Sequence, residues 1–278
     1  MPQNAIVDAL IKGDSEVAAT VGRVLPHQIA PGVTNMALDE ALLEDVAADP
    51  SFAYIRTYEW TVPTLSLGYF QNLADATAEP RFRGVPIVRR ATGGGALWHD
   101  REITYSVIIP ATHPFARQAQ SFYRIVHEAI GQVIARRGLS IARRGEAAQP
   151  PENMVGNRRN SRNDKPFLCF RDRDSEDLVS QGIKLVGSAQ RRRAGAVLQH
   201  GSVLLAKSRI TPELPGLTDL LNVPEIEPIL SWSAPIVQAI AEALGLTAQT
   251  MAVPDHVHRR TQELEFSIYS NPEWTERR

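Results

Sequence analysis

The 278-residue chain has a single cysteine, Cys169, so it forms no internal disulfide and nothing points to an oxidising compartment. A lone cysteine is either a small buried hydrophobe or a functional thiol. The chain has no apolar run approaching the roughly 20 residues of a membrane span. Its first eight residues, Met1-Pro-Gln-Asn-Ala-Ile-Val-Asp8, lack the basic flank and apolar block of a signal peptide. A cytoplasmic protein is therefore expected. Net charge is also nearly absent, with 30 Lys plus Arg against 31 Asp plus Glu, which argues against a general binder of nucleic acid or membrane surfaces. Metal-site patterns are missing: His256 and His258 have no Cys or acidic cluster beside them, and there is no H-E-x-x-H, so no metal is expected.

Nucleotide signatures are missing as well. Gly93, Gly94 and Gly95 follow a strand-like segment but lead into Ala-Leu-Trp-His99-Asp100 and a further strand. The Rossmann fingerprint needs G-x-G-x-x-G opening a helix, and the P-loop needs G-x-x-x-x-G-K-[ST]. No cofactor is expected. The three glycines do offer backbone without Cβ, against which a narrow acyl chain or thioester arm can lie, although a bulge or tight turn would use them equally well.

What is present is ordinary for a globular enzyme: 43% hydrophobic and 22% charged residues, with enough length for a sizeable core. Residues 1–22 show weak periodicity and read as an N-terminal extension to a domain spanning 23–278. Thr34 reads as the N-cap of a helix to about Ala47, with Met36, Leu42, Leu43 and Val46 as its apolar stripe and Asp39 and Glu40 in favourable early turns. Short strands are expected over 54–58, 64–69, 86–90 and 103–109. Phe122, Ile125, Val126, Ala129, Ile130, Val133 and Ile134 fit helical spacing throughout, and Gly138 ends that helix. The stretch 141–165 carries Arg143, Arg144, Arg158, Arg159, Arg162 and Lys165 among Pro, Asn and Gly, and reads as a basic loop or disordered arm. A β-meander from about Leu178 to Leu205 and helices near 234–244 and 255–264 complete an α+β fold, a mixed β-sheet flanked by helices.

Chemistry concentrates around Cys169 and Lys184, fifteen residues apart. On a regular strand Lys184, Val186 and Ser188 share one face and Leu185, Gly187 and Ala189 the other. An ammonium among Val and small residues is partly desolvated, which strengthens its attraction to a carbonyl oxygen gaining negative charge. The alternative is a lysine snorkelling from a hairpin edge. A cation near Cys169 would favour the thiolate, the nucleophilic form. His99 and His200 are candidates for holding a proton for a leaving thiol or incoming amine, or else satisfied core histidines. Arg191, Arg192 and Arg193 read as a solvated turn, able also to greet an acidic protein.

Five segments in order resemble the lipoate ligase and octanoyltransferase family: Asn35-Met-Ala-Leu-Asp-Glu40; Pro63-Thr-Leu-Ser-Leu-Gly-Tyr-Phe-Gln71; Arg89-Arg90 through Gly93-Gly94-Gly95 to His99-Asp100; Gly187-Ser-Ala-Gln190; and Gln199-His-Gly-Ser202. Cys169-Phe170 and its spacing to Lys184 resemble the cysteine-dependent octanoyltransferase branch. The resemblance implies the biotin/lipoate protein ligase fold, with Cys169 and Lys184 catalytic and Arg90, Gly93, Gly94, Gly95, His99, Gly187, Ser188 and His200 lining the acyl pocket. It further implies octanoyl-acyl-carrier protein as donor and a lysine of a lipoyl domain or glycine-cleavage H protein as acceptor, in lipoate biosynthesis; a monomer is expected. One departure stands out, because the charged run Arg171–Asp177 replaces the small residues and proline common in that branch, and such a run reads as a solvated loop. Rival readings are an amidotransferase between lipoyl domains, an ATP-dependent lipoate ligase, whose frequent C-terminal domain has little room after Leu205, and a non-catalytic acyl- or carrier-binding protein.

Overall fold

The computed structural model describes residues 20–147, 167–171, 174–223 and 230–278. The strands are β1 (Val21–Val24), β2 (Gln28–Ala30), β3 (Phe52–Trp60), β4 (Thr64–Leu67), β5 (Ile87–Arg89), β6 (Leu97–His99), β7 (Glu102–Pro110), β8 (Ala142–Arg143), β9 (Leu178–Ser180), β10 (Ile183–Arg193), β11 (Ala196–Leu204) and β12 (Thr247–Thr250). Nine of them form one mixed sheet in the order β12-β1-β3-β7-β11-β10-β9-β8, with β2 also on β3. The first strands pair in parallel, whereas β3, β7, β11 and β10 are antiparallel neighbours. A separate three-stranded sheet, β5-β4-β6, carries the glycine-rich segment between its members.

The helices are α1 (Gly32–Ala48), α2 (Leu73–Ala78), α3 (Ala119–Arg136), α4 (Leu217–Leu221), α5 (Leu230–Ala243), α6 (Asp255–Leu264) and α7 (Pro272–Glu276). Alternation along β7 sends its side chains into two cores, as a period of two requires. Tyr105, Val107 and Ile109 pack with Phe122, Val126, Ile130 and Ile134 of α3 and Ile236 and Ile240 of α5. Ile108 packs instead with Met36, Leu42, Leu43 and Val46 of α1 and Val257 of α6. A third cluster, with Leu65, Leu67, Phe82, Trp98 and Leu168, fastens the small sheet to the segment that bears Cys169.

Several expectations change. The first helix begins at Gly32 after Pro31, not after a Thr34 cap; proline's fixed φ, here −57°, is already helical and it has no N–H to satisfy. That helix is buried on nearly every side, so Asp39 and Glu40 are interior residues, not first-turn charges. The expected extension 1–22 lies outside the described residues up to 19, while Val21 and Gly22 belong to β1. Of the expected basic loop, Arg143 sits in β8 and pairs with Glu128 and Glu176, and 148–165 lies outside the described residues. The three arginines at the end of β10 are not simply solvated. Arg191 donates to the Ala91 carbonyl, Arg192 to that of Ala116, and Arg193 pairs with Glu44 of α1.

Candidate active site

Cys169 sits in a short 3₁₀ turn, Cys169–Arg171, whose approach is tied to the small sheet: Ala96 N–H donates to the Phe167 carbonyl at 2.8 Å, and Cys169 N–H to that of Ala96 at 2.7 Å. Gly95 makes this closeness possible. A Cβ there would lie 2.9 Å from Cys169 N and 3.0 Å from its Cα, inside any real contact distance. The thiol is partly exposed rather than packed away as a core hydrophobe.

Lys184 reaches the same point from β10. Its Nζ donates to the Cys169 carbonyl at 3.2 Å, lies 3.9 Å from Cys169 Sγ, and forms an ion pair with Asp177 Oδ1 at 2.9 Å. Two of the three ammonium donors therefore rest on protein oxygens and one remains for the thiol or whatever is bonded to it. Strict alternation along β10 does not hold here, because the register against β9 shifts between Lys184 and Val186. The lysine side chain instead lies against the bare Cα of Gly187, where a Cβ would come within 2.5 Å of Lys184 Cε.

The charged run after Cys169 is solvated only in part, as expected at Arg171, Asp174 and Ser175, which are exposed, but not at its end. Glu176 and Asp177 are each 3% exposed. Glu176 is held by Arg124 and Arg143. Asp177 closes its own turn, with Oδ2 accepting the Asp174 N–H at 2.8 Å, while Oδ1 holds Lys184. Burial pushes the Asp177 carboxyl upward, and Lys184 works against that. Asp172 and Arg173 lie outside the described residues.

Cys169 opens on a narrow pocket walled by Met36, Tyr58, Trp60, Leu97 and Ala189, with Arg90, His99, Gly187, Ser188 and His200 also on its surface. The cavity is thus apolar with a few polar groups, the usual form of a small-ligand site. Gly93, Gly94 and Gly95 do not line it; they curl around Arg90 instead. Arg90 Nη2 donates to the Gly93 and Gly95 carbonyls, both at 2.7 Å, Nη1 to the Ser66 carbonyl and hydroxyl, and Nε to Thr92 Oγ1. All five guanidinium donors are engaged, so Arg90 builds the wall and has none left for a ligand.

The two histidines are committed in the same way. His99 Nδ1 donates to Glu102 at 2.8 Å, and its Nε2 pairs with Ser66 Oγ at 2.8 Å. Its ring stacks on Trp60 with centroids 3.8 Å apart, and burial holds its pKa below the ordinary imidazole value. His200 Nδ1 pairs with Asp39 at 2.8 Å and Nε2 with Thr92 Oγ1 at 2.7 Å. Burial opposes the charge on Asp39, but Arg56 and His200 outweigh it and draw the carboxyl down to about 2. Two acid–histidine–hydroxyl chains therefore converge on Arg90. Neither histidine offers a ring nitrogen to the cavity.

The sequence reading did not single out Asp39, Glu102, Asp177 or His127 as site residues. His127, on α3, pairs through Nδ1 with the Glu176 carbonyl and through Nε2 with Ser188 Oγ, which also meets the Tyr105 hydroxyl. A carbonyl accepts only, so Nδ1 carries the hydrogen and Nε2 accepts from Ser188. Burial, with Lys184 nearby, pushes His127 down to about 4. Its signal was available: a histidine in phase with Ile130 and Ile134 on an otherwise apolar face. Among the described residues, no group of three His, Cys, Asp or Glu is placed to hold a metal ion, and no helix is long and apolar enough to cross a membrane.

Residues 31–226 match the model of the lipoyl protein ligase A/B catalytic domain. The chain belongs to that family. Its similarity to the octanoyltransferase LipM of Geobacillus kaustophilus is 36% identity over 193 residues, covering 68% of this chain and 67% of that protein. With the LipM of Lysinibacillus sphaericus it is 31% identical over 265 residues, 86% of this chain and 93% of the relative. Other matches of the same description cover about 60% of the relatives' length. Among solved structures, a lipoate-protein ligase A bound with ATP superposes with a TM-score of 0.71 at 22% identity, covering 92% of this chain and 98% of that one. That likeness establishes the lipoate protein ligase-like α+β fold expected from the sequence, and nothing finer.

Proposed function

We propose that this family member is an octanoyltransferase of lipoate biosynthesis that works through a thioester on Cys169. The observation that carries the reading is the thiol at the head of an apolar cavity with the Lys184 ammonium 3.9 Å from its sulfur. In the first half-reaction the Cys169 thiolate attacks the carbonyl carbon of an octanoyl-acyl-carrier-protein thioester. A bond forms from Sγ to carbon, the donor's C–S bond breaks, and the carrier leaves as a thiolate that takes up the proton Cys169 released on ionising. In the second, the neutral amine of a lysine on a lipoyl domain or H protein attacks the octanoyl-enzyme. The C–N bond forms, the bond to Sγ breaks, and the amine's proton passes to the departing Cys169 sulfur, leaving an octanoyl amide. Each step puts negative charge on the carbonyl oxygen, where the third donor of the buried Lys184 stabilises it. The apolar walls from Met36 to Ala189 take the alkyl chain. The relatives' shared description as octanoyltransferases supports the acyl group and the reaction class.

The test is intact-protein mass spectrometry after incubation with octanoyl-acyl-carrier protein and no ATP, comparing wild type with Cys169→Ser. A hydroxylamine-labile octanoyl adduct on the wild type alone is expected. Its absence, with modification appearing only when ATP and free acid are supplied, would sink the reading in favour of a ligase.

A further inference from the structure

The active site contains a chemical hazard. Its substrate is a lysine amine and its intermediate an acyl thioester, yet Lys184 Nζ lies 3.9 Å from the sulfur that would carry the acyl group. A neutral Lys184 would be the nearest nucleophile. We infer that Asp177 is a positioning residue that keeps Lys184 an ammonium, and so prevents the enzyme from acylating itself. The inference rests on the thioester reading above.

The geometry is built for this. Lys184 is 6% exposed and Asp177 3% exposed, and their 2.9 Å ion pair is the carboxylate contact of Lys184 among the described residues. Both Asp177 oxygens are fixed, one by Lys184 and one by the Asp174 N–H at 2.8 Å. Gly187 leaves the space in which the pair meets, since a Cβ there would lie 2.9 Å from Nζ and 3.5 Å from Asp177 Oδ1. The other charged or titratable groups around the pair cannot substitute. Glu176 is held by Arg124 and Arg143 on its own side of the turn. His127 is held uncharged by burial and by the nearby Lys184 charge, against the opposing pull of its bond to the Glu176 carbonyl, and the described Asp174 contributes its backbone N–H.

The need is greatest after acylation. In the attacking step the Cys169 sulfur brings negative charge beside Lys184. In the acyl-enzyme that sulfur is a neutral thioester, and Asp177 alone of the ion-pair partners remains, at the moment the electrophile is in place. Without it, a buried ammonium loses its counter-ion, which favours loss of its proton. The free amine then attacks the carbonyl carbon on Cys169. A C–N bond forms, the C–S bond breaks, and the nitrogen's proton moves to the sulfur, giving Cys169 thiol and an octanoyl amide on Lys184.

The experiment uses full-length wild type, Asp177→Asn and the double variant Asp177→Asn/Lys184→Arg, each incubated with octanoyl-acyl-carrier protein, treated with hydroxylamine and mapped by peptide mass spectrometry. Wild type is expected to lose its adduct to hydroxylamine. Asp177→Asn is expected to accumulate a hydroxylamine-resistant octanoyl group on Lys184, at least roughly tenfold above wild type, with turnover dying as it forms. The double variant is expected to carry only a labile adduct, because a guanidinium does not acylate. Asp177→Ser, with a hydroxyl for the carboxylate, carries the same expectation should the Asn variant fail to fold. If both the Asn and Ser variants carry only labile adducts, or the resistant group maps elsewhere, the protective role is overturned. A wild type with no labile adduct overturns the thioester reading itself.

Discussion

The two sides of the cavity differ in how many of their polar atoms are already satisfied. On one side Arg90, His99 and His200 are buried, and their side-chain nitrogens are bonded to Ser66, Thr92, Glu102, Asp39 and the glycine-rich backbone. On the other, Cys169 keeps a free, half-exposed thiol and Lys184 keeps one donor directed towards it. Both sides carry residues that look chemical in a sequence. Only the second has chemistry left over, and the first serves to hold its shape.

That contrast is broken most severely at Cys169. Cys169→Ala should abolish both the acyl-enzyme and all measurable transfer while leaving the thermal transition near that of wild type, as intact-mass and calorimetric measurements would show. Lys184→Gln should lower kcat by about 10²–10³, the usual effect of losing one oxyanion donor, with the labile adduct still forming slowly in single-turnover assays. A loss of less than tenfold would remove Lys184 from the chemistry.

On the satisfied side the expectation inverts. His200→Phe leaves Asp39 and Thr92 each short of a partner, costing about 1–3 kcal/mol of stability. The kcat of the folded fraction should fall by less than the roughly 10² that loss of a proton-transferring group brings. A larger fall at unchanged stability would make His200 a participant.

The smaller effects are in pH. His127 is held down to about 4 by burial, against 6.5 for the free side chain. The unfolded chain therefore binds a proton through a window in which the folded chain resists, and stability falls as pH falls from about 6.5 to 4. His127→Asn should flatten denaturant-derived stability across that window; an unchanged slope would contradict the burial argument. Asp39 acts lower. Its depressed folded value of about 2 contributes about 2 kcal/mol that is fully present above the unfolded pKa and is lost as pH falls towards 2. Asp39→Asn should remove that lowest step of the acid transition.

How far this contrast could be read from the sequence follows from what each residue's role depends on. The cores of α3, β7 and β11 were visible because period and burial coincide, as in Phe122, Val126 and Ile130. Cys169 and Lys184 stood out because their residue types and surroundings are unusual. The misses share one cause: their roles depend on partners distant in the chain. Asp39 looked like a helix-start charge, but its partners Arg56 and His200 arrive from β3 and β11. Asp177 lay in a run that composition assigns to solvent, and its burial comes from a turn folded back onto β10. Gly93 to Gly95 were assigned to the pocket, whereas the Gly93 and Gly95 carbonyls answer Arg90, a demand set by counting guanidinium donors in three dimensions.

The most direct test of the Cys169 thioester is a chase. Octanoyl-enzyme is isolated free of acyl-carrier protein, mixed with an unmodified lipoyl domain or H protein, and quenched at intervals for mass analysis. The account predicts that the label leaves Cys169 and appears as an octanoyl amide on the acceptor in equal amounts, at least as fast as steady-state turnover. An adduct that persists, or decays only to free octanoate while the complete reaction proceeds, would contradict it.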